Sequence, residues 1–158
     1  MKITEDMLED GAVLRSLIEL YNKNGDRKTY AMILQCLRDS YVYVPCKITV
    51  NGELLNGIYE DDFSRNDEVV IEPDFLYSEN QDKFFPVFSS EEFLPVDRIS
   101  EMSGLRKHFM DVVDWVNEIR DVDGILVDAF MNMFVCDVSY FPLLREMDSL
   151  FDGDRVLS

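Results

Sequence analysis

The chain has 158 residues and carries 32 Asp and Glu against 15 Lys and Arg, a formal net charge of −17 at pH 7. A surface of this charge repels polyanions, so the composition argues against direct nucleic-acid binding. A hydrophobic fraction of 47%, with 11 Phe, 7 Tyr and 1 Trp, supplies a core and argues against a disordered chain. One folded domain spanning residues 1–158 is expected.

The residues near the N-terminus, the lengths of the apolar stretches and the cysteines predict a cytoplasmic protein. Acids stand near the N-terminus, where a signal peptide needs basic residues, and no stretch approaches the roughly 18 apolar residues of a membrane span. Cys36, Cys46 and Cys136 lie far apart among apolar neighbours. We interpret them as buried free thiols, which suit a reducing compartment. Without a P-loop or a GxGxxG motif, no cofactor is expected.

Apolar residues at helical spacing predict two helices at the start of the chain. The first runs from Met7 to Tyr21, and residues 22–26 break it. The second carries apolar side chains on one face, namely Tyr30, Ile33, Leu34 and Leu37. Because the break is short, we expect the two helices to be antiparallel neighbours.

The middle of the chain predicts strands. Residues 41–48 are rich in β-branched and aromatic side chains, and we expect Pro45 at a bulge, an edge or a strand end. Residues 53–66 lack a clean period, which predicts a loop or a poorly ordered insertion. Residues 69–77 and 83–88 predict two further strand zones.

The C-terminal third predicts helices around a pair of strands. The strongest helical pattern runs from Ser103 to Ile119, and a last helix follows Ser139 and continues through Phe151. Residues 125–127 and 133–136 predict the strands. The order of elements predicts an α+β fold: a single mixed or antiparallel sheet packed against helices, with an N-terminal helix pair.

Three passages of the chain resemble the SseB protein N-terminal domain family, and they occur in the family's order. They are the helix pair leading into Tyr41-Val42-Tyr43-Val44-Pro45, the strand Phe84-Phe85-Pro86-Val87-Phe88-Ser89-Ser90 with Glu91-Glu92, and the passage ending in Asp123-Gly124-Ile125-Leu126-Val127-Asp128. The resemblance implies a small bacterial cytoplasmic protein with an α+β domain, and it brings no catalytic residues. The chain departs from the family at Asp128-Ala129-Phe130, where members more often have an Asn-Pro turn.

Asp and Glu are the only residue types numerous enough to suggest a metal site, because the chain has one His and three widely separated Cys. Asp111, Asp114 and Glu118 share the outer face of a helix, an arrangement more typical of a solvated surface than of a metal site. Residues 121–124 resemble the start of a calcium loop, but Phe130 occupies the position of the required Glu. We predict no metal site. A carboxylate-dependent metal-binding protein or metalloenzyme is the alternative, based on the density of acids from position 111 to 128.

His108 is the only histidine, and it lies beside the apolar stripe of its helix. A catalytic triad needs an activated nucleophile and an orienting acid beside the imidazole, and the sequence links neither to His108. We therefore expect a half-buried, hydrogen-bonded side chain and predict no catalytic residues.

The acidic block from Glu60 to Asp74 is the most suggestive region. Acids alone make a surface soluble, whereas aromatic residues between them can anchor a partner that the charge attracts. Both interpretations stay open here. The predicted partner-binding residues are Tyr59, Glu60, Asp61, Asp62, Phe63, Asp67, Glu68, Glu72, Asp74, Phe75 and Tyr77. The outer face of the Trp115 helix is a candidate extension of this surface.

These patterns favour a non-catalytic, acidic protein-binding module with a basic protein partner. One concrete version is an immunity protein that occludes a cationic toxin, because carboxylates raise the encounter rate and mimic a polyanionic substrate. Neither nucleic acid nor membrane is expected as a partner. The protein would be a monomer or a homodimer, since exposed aromatics such as Tyr59 and Phe63 would support a symmetric interface.

Overall fold

The computed structural model describes residues 11–60, 62–94 and 102–149. This part of the chain forms four helices and two mixed sheets, with a helix pair at its N-terminal end, which confirms the α+β class. The helices are α1 (Ala12–Asn24), α2 (Arg27–Arg38), α3 (Phe109–Glu118) and α4 (Phe141–Glu146). The strands are β1 (Tyr41–Val50), β2 (Glu53–Leu54), β3 (Ile58–Glu60), β4 (Val69–Pro73), β5 (Leu76–Tyr77), β6 (Lys83–Val87), β7 (Ser103–His108), β8 (Gly124–Val127) and β9 (Phe134–Asp137).

The helix pair is separated by a turn with two specific caps. Gly25 adopts a left-handed conformation (φ 62°) and donates its N–H to the carbonyl of Tyr21, which ends α1. The side chain of Asp26 then accepts the N–H of Lys28 and starts α2. The predicted helix pair is confirmed, although the predicted start at Met7 falls outside the described residues.

The first sheet is organised around β1. This strand pairs antiparallel with β7, β2 and β4, while β3 pairs parallel with β7. Pro45 lies inside β1, opposite Gly104, rather than at an edge, bulge or strand end. Tyr43 exchanges two backbone hydrogen bonds with Phe88 on the side away from β7. Pro45, two residues on, turns its nitrogen to that same side, so proline removes no bond of the β1–β7 ladder.

The second sheet has the strand order β5-β6-β8-β9, in which β6 and β8 are parallel and the other pairs antiparallel. The bridge between Tyr43 and Phe88 connects it to the first sheet. The strands therefore form two connected sheets rather than one. The side chains of one face belong to the main core, which the helices cover: Phe85, Val87, Ile125, Val127, Phe134 and Cys136.

Two expected elements have a different structure. The predicted helix over 103–119 begins only at Phe109, because residues 103–108 form β7 and Leu105 pairs with Val44. Residues 53–66, expected to be a loop, contain β2 and β3. Pairing with a strand far away in the sequence supplies the backbone hydrogen bonds of β7 and β3, whereas β2 forms a hairpin with the end of β1. In both places strand pairing overrides the local pattern.

The predicted last helix is shorter in the described part of the chain. Asp137 accepts the N–H of Ser139 and opens a 3-10 turn, so Asp137 rather than Ser139 is the cap. The helix α4 follows and ends at Glu146. The predicted continuation to Phe151 is wrong from Met147 onward, because Met147 is already extended (ψ 135°) and residues 147–149 are not helical; positions 150 and 151 lie outside the described residues.

The three cysteines are buried free thiols, as predicted. Burial raises the pKa of Cys36 to about 11 and the pKa values of Cys46 and Cys136 to about 12. Because the thiolate is the reactive form, burial and the raised pKa values lower the reactivity of these thiols in the folded state. None of the helices in the described ranges combines the length and the apolar character that a membrane span requires.

Candidate protein-binding groove

The helix α3 displays a stripe of functional side chains on its outer face. The stripe consists of Asp111, Asp114, Trp115 and Glu118, which are three or four residues apart and therefore neighbours on the helix surface. The opposite face is buried in the core and holds the helix in place, through Phe109, Val112, Val113 and Val116.

A groove of about 500 Å³ lies along this stripe. Ile71 of β4 and Lys107 of β7 complete its lining. Side chains of a strand alternate between its two faces, so Ile71 is half-buried on the groove side while its neighbours Val70 and Glu72 are exposed. The groove thus joins β4, which lies within the predicted 59–77 surface, to the outer face of α3. We call it the α3–β4 groove.

Trp115 gives the groove an aromatic surface. It is the only tryptophan of the chain and is half-buried. Its ring packs edge-on against Phe85, with 5.1 Å between centroids and an interplanar angle of 68°. The ammonium of Lys107 lies 5.6 Å from the Trp115 centroid, within the range of a cation–π contact. The contact with Phe85 therefore fixes the indole ring of Trp115 in a position where a cation, here Lys107, can lie over it.

The charge of the groove is negative. Asp111, Asp114 and Glu118 are exposed carboxylates, and Lys107 is the one cation in the described lining. Arg145 of α4 reaches Asp114 from outside the lining, with 3.0 Å between Nη2 and Oδ1. Both of these side chains are well exposed, and such ion pairs contribute little free energy. Another cation can therefore replace Arg145 at small cost.

The aromatic residues of the predicted surface lie in separate places. Tyr59 and Phe63 contact each other at 6.1 Å between centroids, and both are half-buried against the main core. The expectation that they are exposed is therefore wrong. Phe75 packs edge-on against Phe85 at 5.9 Å. Tyr77, in the second sheet, is 65% exposed.

The acidic residues of the predicted surface are also dispersed. Glu60 pairs with Arg106 on β7, at 3.2 Å between Oε1 and Nη1. Asp67 accepts a hydrogen bond from the side chain of Asn51, whose amide oxygen accepts the N–H of Glu68, so these acids close a turn. Of the remaining members, Asp62 and Glu72 are exposed, Asp74 is half-buried, and Asp61 lies outside the described residues. In the described structure, the 59–77 segment enters the groove through Ile71, which sequence reasoning did not single out.

Lys107 is the other groove residue that sequence reasoning missed. The predicted helix over 103–119 placed it on a helical turn, whereas it belongs to β7. The β1–β7 register sets Lys107 opposite the buried Val42, on the side of the sheet that faces α3. Its position four residues before Asp111 was a signal that it lies near the acidic stripe.

The acidic 121–124 turn and His108, which were considered from the sequence for metal binding or catalysis, make structural hydrogen bonds. Within the described ranges, no three His, Cys, Asp or Glu side chains are placed to hold a metal ion. Asp123 accepts the backbone N–H of Lys83 at 2.8 Å, so the 121–124 turn ties β8 to β6. His108 is half-buried and accepts the N–H of Met110 through Nδ1 at 3.2 Å, which confirms the prediction of a hydrogen-bonded imidazole.

Comparisons with protein-family models, with curated proteins and with solved structures find no match for this chain. The resemblance to the SseB N-terminal domain family therefore stays a prediction. The function has to be inferred from the residues of the groove and from the charge of the chain.

Proposed function

We propose that this chain is a non-catalytic protein-binding module that accepts a basic segment of a partner protein in the α3–β4 groove. The carrying observation is the lining of that groove. It combines one fixed indole ring with the carboxylates of Asp111, Asp114 and Glu118 on a single helix face.

This combination suits arginine and lysine side chains. A guanidinium or ammonium over an indole ring gains a cation–π attraction, and nearby carboxylates add charge-assisted hydrogen bonds. Arginine suits the site better than lysine, because its planar group stacks on aromatic rings and binds carboxylates in a bidentate manner. The net charge of −17 also steers basic proteins toward the surface from a distance.

Within this proposal the chain is an SseB-like bacterial protein of the cytoplasm, acting as a monomer or homodimer. The α+β fold with its N-terminal helix pair supports the family assignment, and three buried free thiols support a reducing compartment. An immunity-type inhibitor of a cationic toxin is one concrete form of the proposal, since the acidic stripe would compete with a polyanionic substrate.

Trp115 provides a direct binding assay, because it is the only tryptophan of the chain and lines the groove, so all intrinsic tryptophan fluorescence comes from this position. We expect an arginine-rich peptide to change this fluorescence saturably at low salt, a lysine-rich peptide to bind more weakly, and a glutamate-rich peptide to have no effect. Rising salt should weaken binding, because exposed charges are screened within about 10 Å at 0.1 M ionic strength.

The test variant replaces the three carboxylates of the stripe: Asp111→Asn, Asp114→Asn and Glu118→Gln. The matched control removes the same number of charges elsewhere, through Glu79→Gln, Glu91→Gln and Glu92→Gln, all exposed residues outside the groove. Loss of binding in the first variant only would support a local site. Equal losses in both would reduce the proposal to a net-charge effect and contradict the groove.

The natural partner can be sought by affinity capture from the native host across a salt series, with the same two variants. A basic protein retained by the wild-type chain and the control, but lost from the groove variant, is the expected result. Calorimetric titration with Mg²⁺, Mn²⁺ and Ca²⁺ addresses the metal-binding alternative. Binding at millimolar concentration or tighter would favour it.

A further inference from the structure

The loop between β8 and β9 carries the most exposed large hydrophobic side chain in the described structure. Phe130 is 79% exposed, and its neighbours Met131 and Met133 are 44% and 49% exposed. These three residues lie within four positions and carry no charge. Large exposed aromatic and methionine side chains grouped in this way are typical of protein interaction surfaces.

The backbone of this loop adopts an unfavourable conformation. Phe130 has φ 71° and Asp128 has φ 54°, both in the left-handed region that disfavours residues with a Cβ atom. Aspartate tolerates this region better than most residues, but a bulky aromatic residue does so only when its surroundings impose it. Strained residues of this kind concentrate at functional sites.

A buried anchor holds the loop in this conformation. Ser89 donates its backbone N–H and its hydroxyl to the carboxylate of Asp128, at 2.8 and 2.7 Å. The N–H of Asp128 bonds to the carbonyl of Val87, and the carbonyl of Asp128 accepts the N–H of Met131. Ala129 is buried beside these bonds. The chain is therefore fixed on both sides of Phe130, whose side chain is directed into solvent.

The net charge of the chain indicates which kind of molecule contacts the β8–β9 loop. Apart from the buried Asp128, the loop residues are uncharged, but they belong to a chain with a net charge of −17. That charge disfavours an anionic lipid surface, and it favours a protein of opposite sign over a second copy of the chain as the occupant of this loop. An exposed aromatic ring on a fixed loop needs an apolar pocket on the other side of the interface.

We propose that Phe130 is an anchor residue that inserts into an apolar pocket on a partner protein with a basic surface. The rigid loop presents the ring in its binding position before contact, which lowers the entropy lost on association. This inference rests on the loop geometry rather than on the α3–β4 groove, and it shares with the proposed function only the charge of the partner.

The first experiment measures what Phe130 does for the isolated chain. Asn and Gly tolerate positive φ, so Phe130→Asn and Phe130→Gly should raise the urea midpoint of unfolding. The control is Leu54→Asn, at an exposed leucine on β2 whose φ is not positive, and it should not raise the midpoint. If both Phe130 variants lower the midpoint, the ring serves the fold itself and the proposal is overturned.

The second experiment identifies the contact. A photo-crosslinking benzoylphenylalanine in place of Phe130, in the full-length chain in its native host, should crosslink to a basic protein, and the same group in place of Leu54 should not. The purified partner should then bind the Phe130→Asn variant about tenfold or more weakly than wild type. That loss should persist at high salt, because it comes from apolar burial.

The outcomes separate this proposal from the groove. Loss of binding in the carboxylate variant only, with Phe130→Asn unchanged, overturns the anchor and leaves the groove standing. Loss of binding in Phe130→Asn only, with the carboxylate variant unchanged, overturns the proposed role of the α3–β4 groove and leaves the Phe130 proposal standing. Three results would each overturn the proposal that Phe130 inserts into a basic partner protein. They are a crosslink from position 130 to a second copy of the chain, a crosslink to lipid, and no specific crosslink.

Discussion

Ser89 holds the carboxylate of Asp128 with two hydrogen bonds, although 39 positions separate the two residues. They follow β6 and β8, which are parallel neighbours, so the bonds fasten the carboxyl ends of the two strands together. Arg15 of α1 donates to the same serine hydroxyl at 3.2 Å. Because both carboxylate oxygens are bonded, an acid can be buried here at tolerable cost.

Replacement of Ser89 should destabilise the protein. Ser89→Ala removes the hydroxyl and leaves one oxygen of the buried Asp128 carboxylate without that donor, so we expect a loss of about 1–3 kcal/mol in the free energy of unfolding. Urea denaturation followed by circular dichroism measures it. Ser90→Ala is the matched control, since the Ser90 side chain makes no cap hydrogen bond, and it should change stability by less than about 0.5 kcal/mol. Equal effects of the two substitutions would refute the role of the hydroxyl.

The stability of the protein should carry a pH dependence from Asp128. Burial raises the pKa of this carboxyl above its ordinary 3.8, against the opposing effects of Ser89 and Arg15. A raised folded-state pKa means that the stabilisation is fully present below pH 3.8 and is lost as pH rises through the folded-state value. Asp128→Asn cannot titrate, so its stability relative to wild type should increase over that window. Parallel pH profiles of the two urea midpoints would contradict this prediction.

His108 should contribute a pH dependence of opposite sign. Burial, the largest cause, lowers the pKa of its imidazole below 6.5, and the neutral ring accepts the N–H that caps α3. The stabilisation is therefore present above pH 6.5 and is lost as pH falls through the folded-state pKa. His108→Asn keeps a capping side chain without titration and should flatten this part of the profile. Nuclear magnetic resonance titration of the single histidine measures the pKa directly, and a value above 6.5 would refute the assignment.

Two glycines should differ in their tolerance of a methyl group. A Cβ at Gly124 would lie 2.8 Å from the backbone oxygen of Cys136, in the paired strand β9. A Cβ at Gly104 would meet only the side-chain ends of Leu94 and Ile58, which can rotate away. We expect Gly124→Ala to cost about 2–3 kcal/mol and Gly104→Ala clearly less. Thermal unfolding of both variants tests the ranking.

Removal of the lysine from the groove should strengthen its binding of basic peptides. Lys107→Gln deletes the cation over Trp115, so an incoming arginine no longer meets a like charge. We expect affinity for an arginine-rich peptide to rise about two- to fivefold, the equivalent of ~0.5–1 kcal/mol for one exposed charge interaction. Lys47→Gln changes net charge equally on an exposed site of β1 outside the groove lining. An equal rise in that control would attribute the effect to net charge.

Local patterns predicted some elements well and others poorly, for identifiable reasons. Residues 41–48 were assigned correctly to a strand, because β-branched and aromatic residues are enriched in strands, where they fit a half-buried pleated surface. Leu105 and Phe109 are four apart, which fits a helix, but Leu105 is paired with Val44 in a sheet. The strand β3 depends on parallel pairing with β7, whose residues lie more than forty positions later. No local window contains that information.

The candidate site divides in the same way. The acidic stripe of α3 could be predicted, because residues three or four apart meet on a helix surface. Ile71 and Lys107 join the stripe only because β4 and β7 both pair with β1. The exposure of Tyr59 and Phe63 was predicted wrongly, since both side chains pack against the main core through contacts that only the folded chain forms.

Residue types and short-range spacing were sufficient for the α+β class, the helix pair, the buried thiols and the acidic face of α3. These properties depend on composition and on contacts within one or two helical turns. The α3–β4 groove, the Ser89–Asp128 anchor and the outward Phe130 required the folded chain. Each depends on strands paired across tens of residues, and such pairing is selected by the packing of the whole core rather than by any one segment.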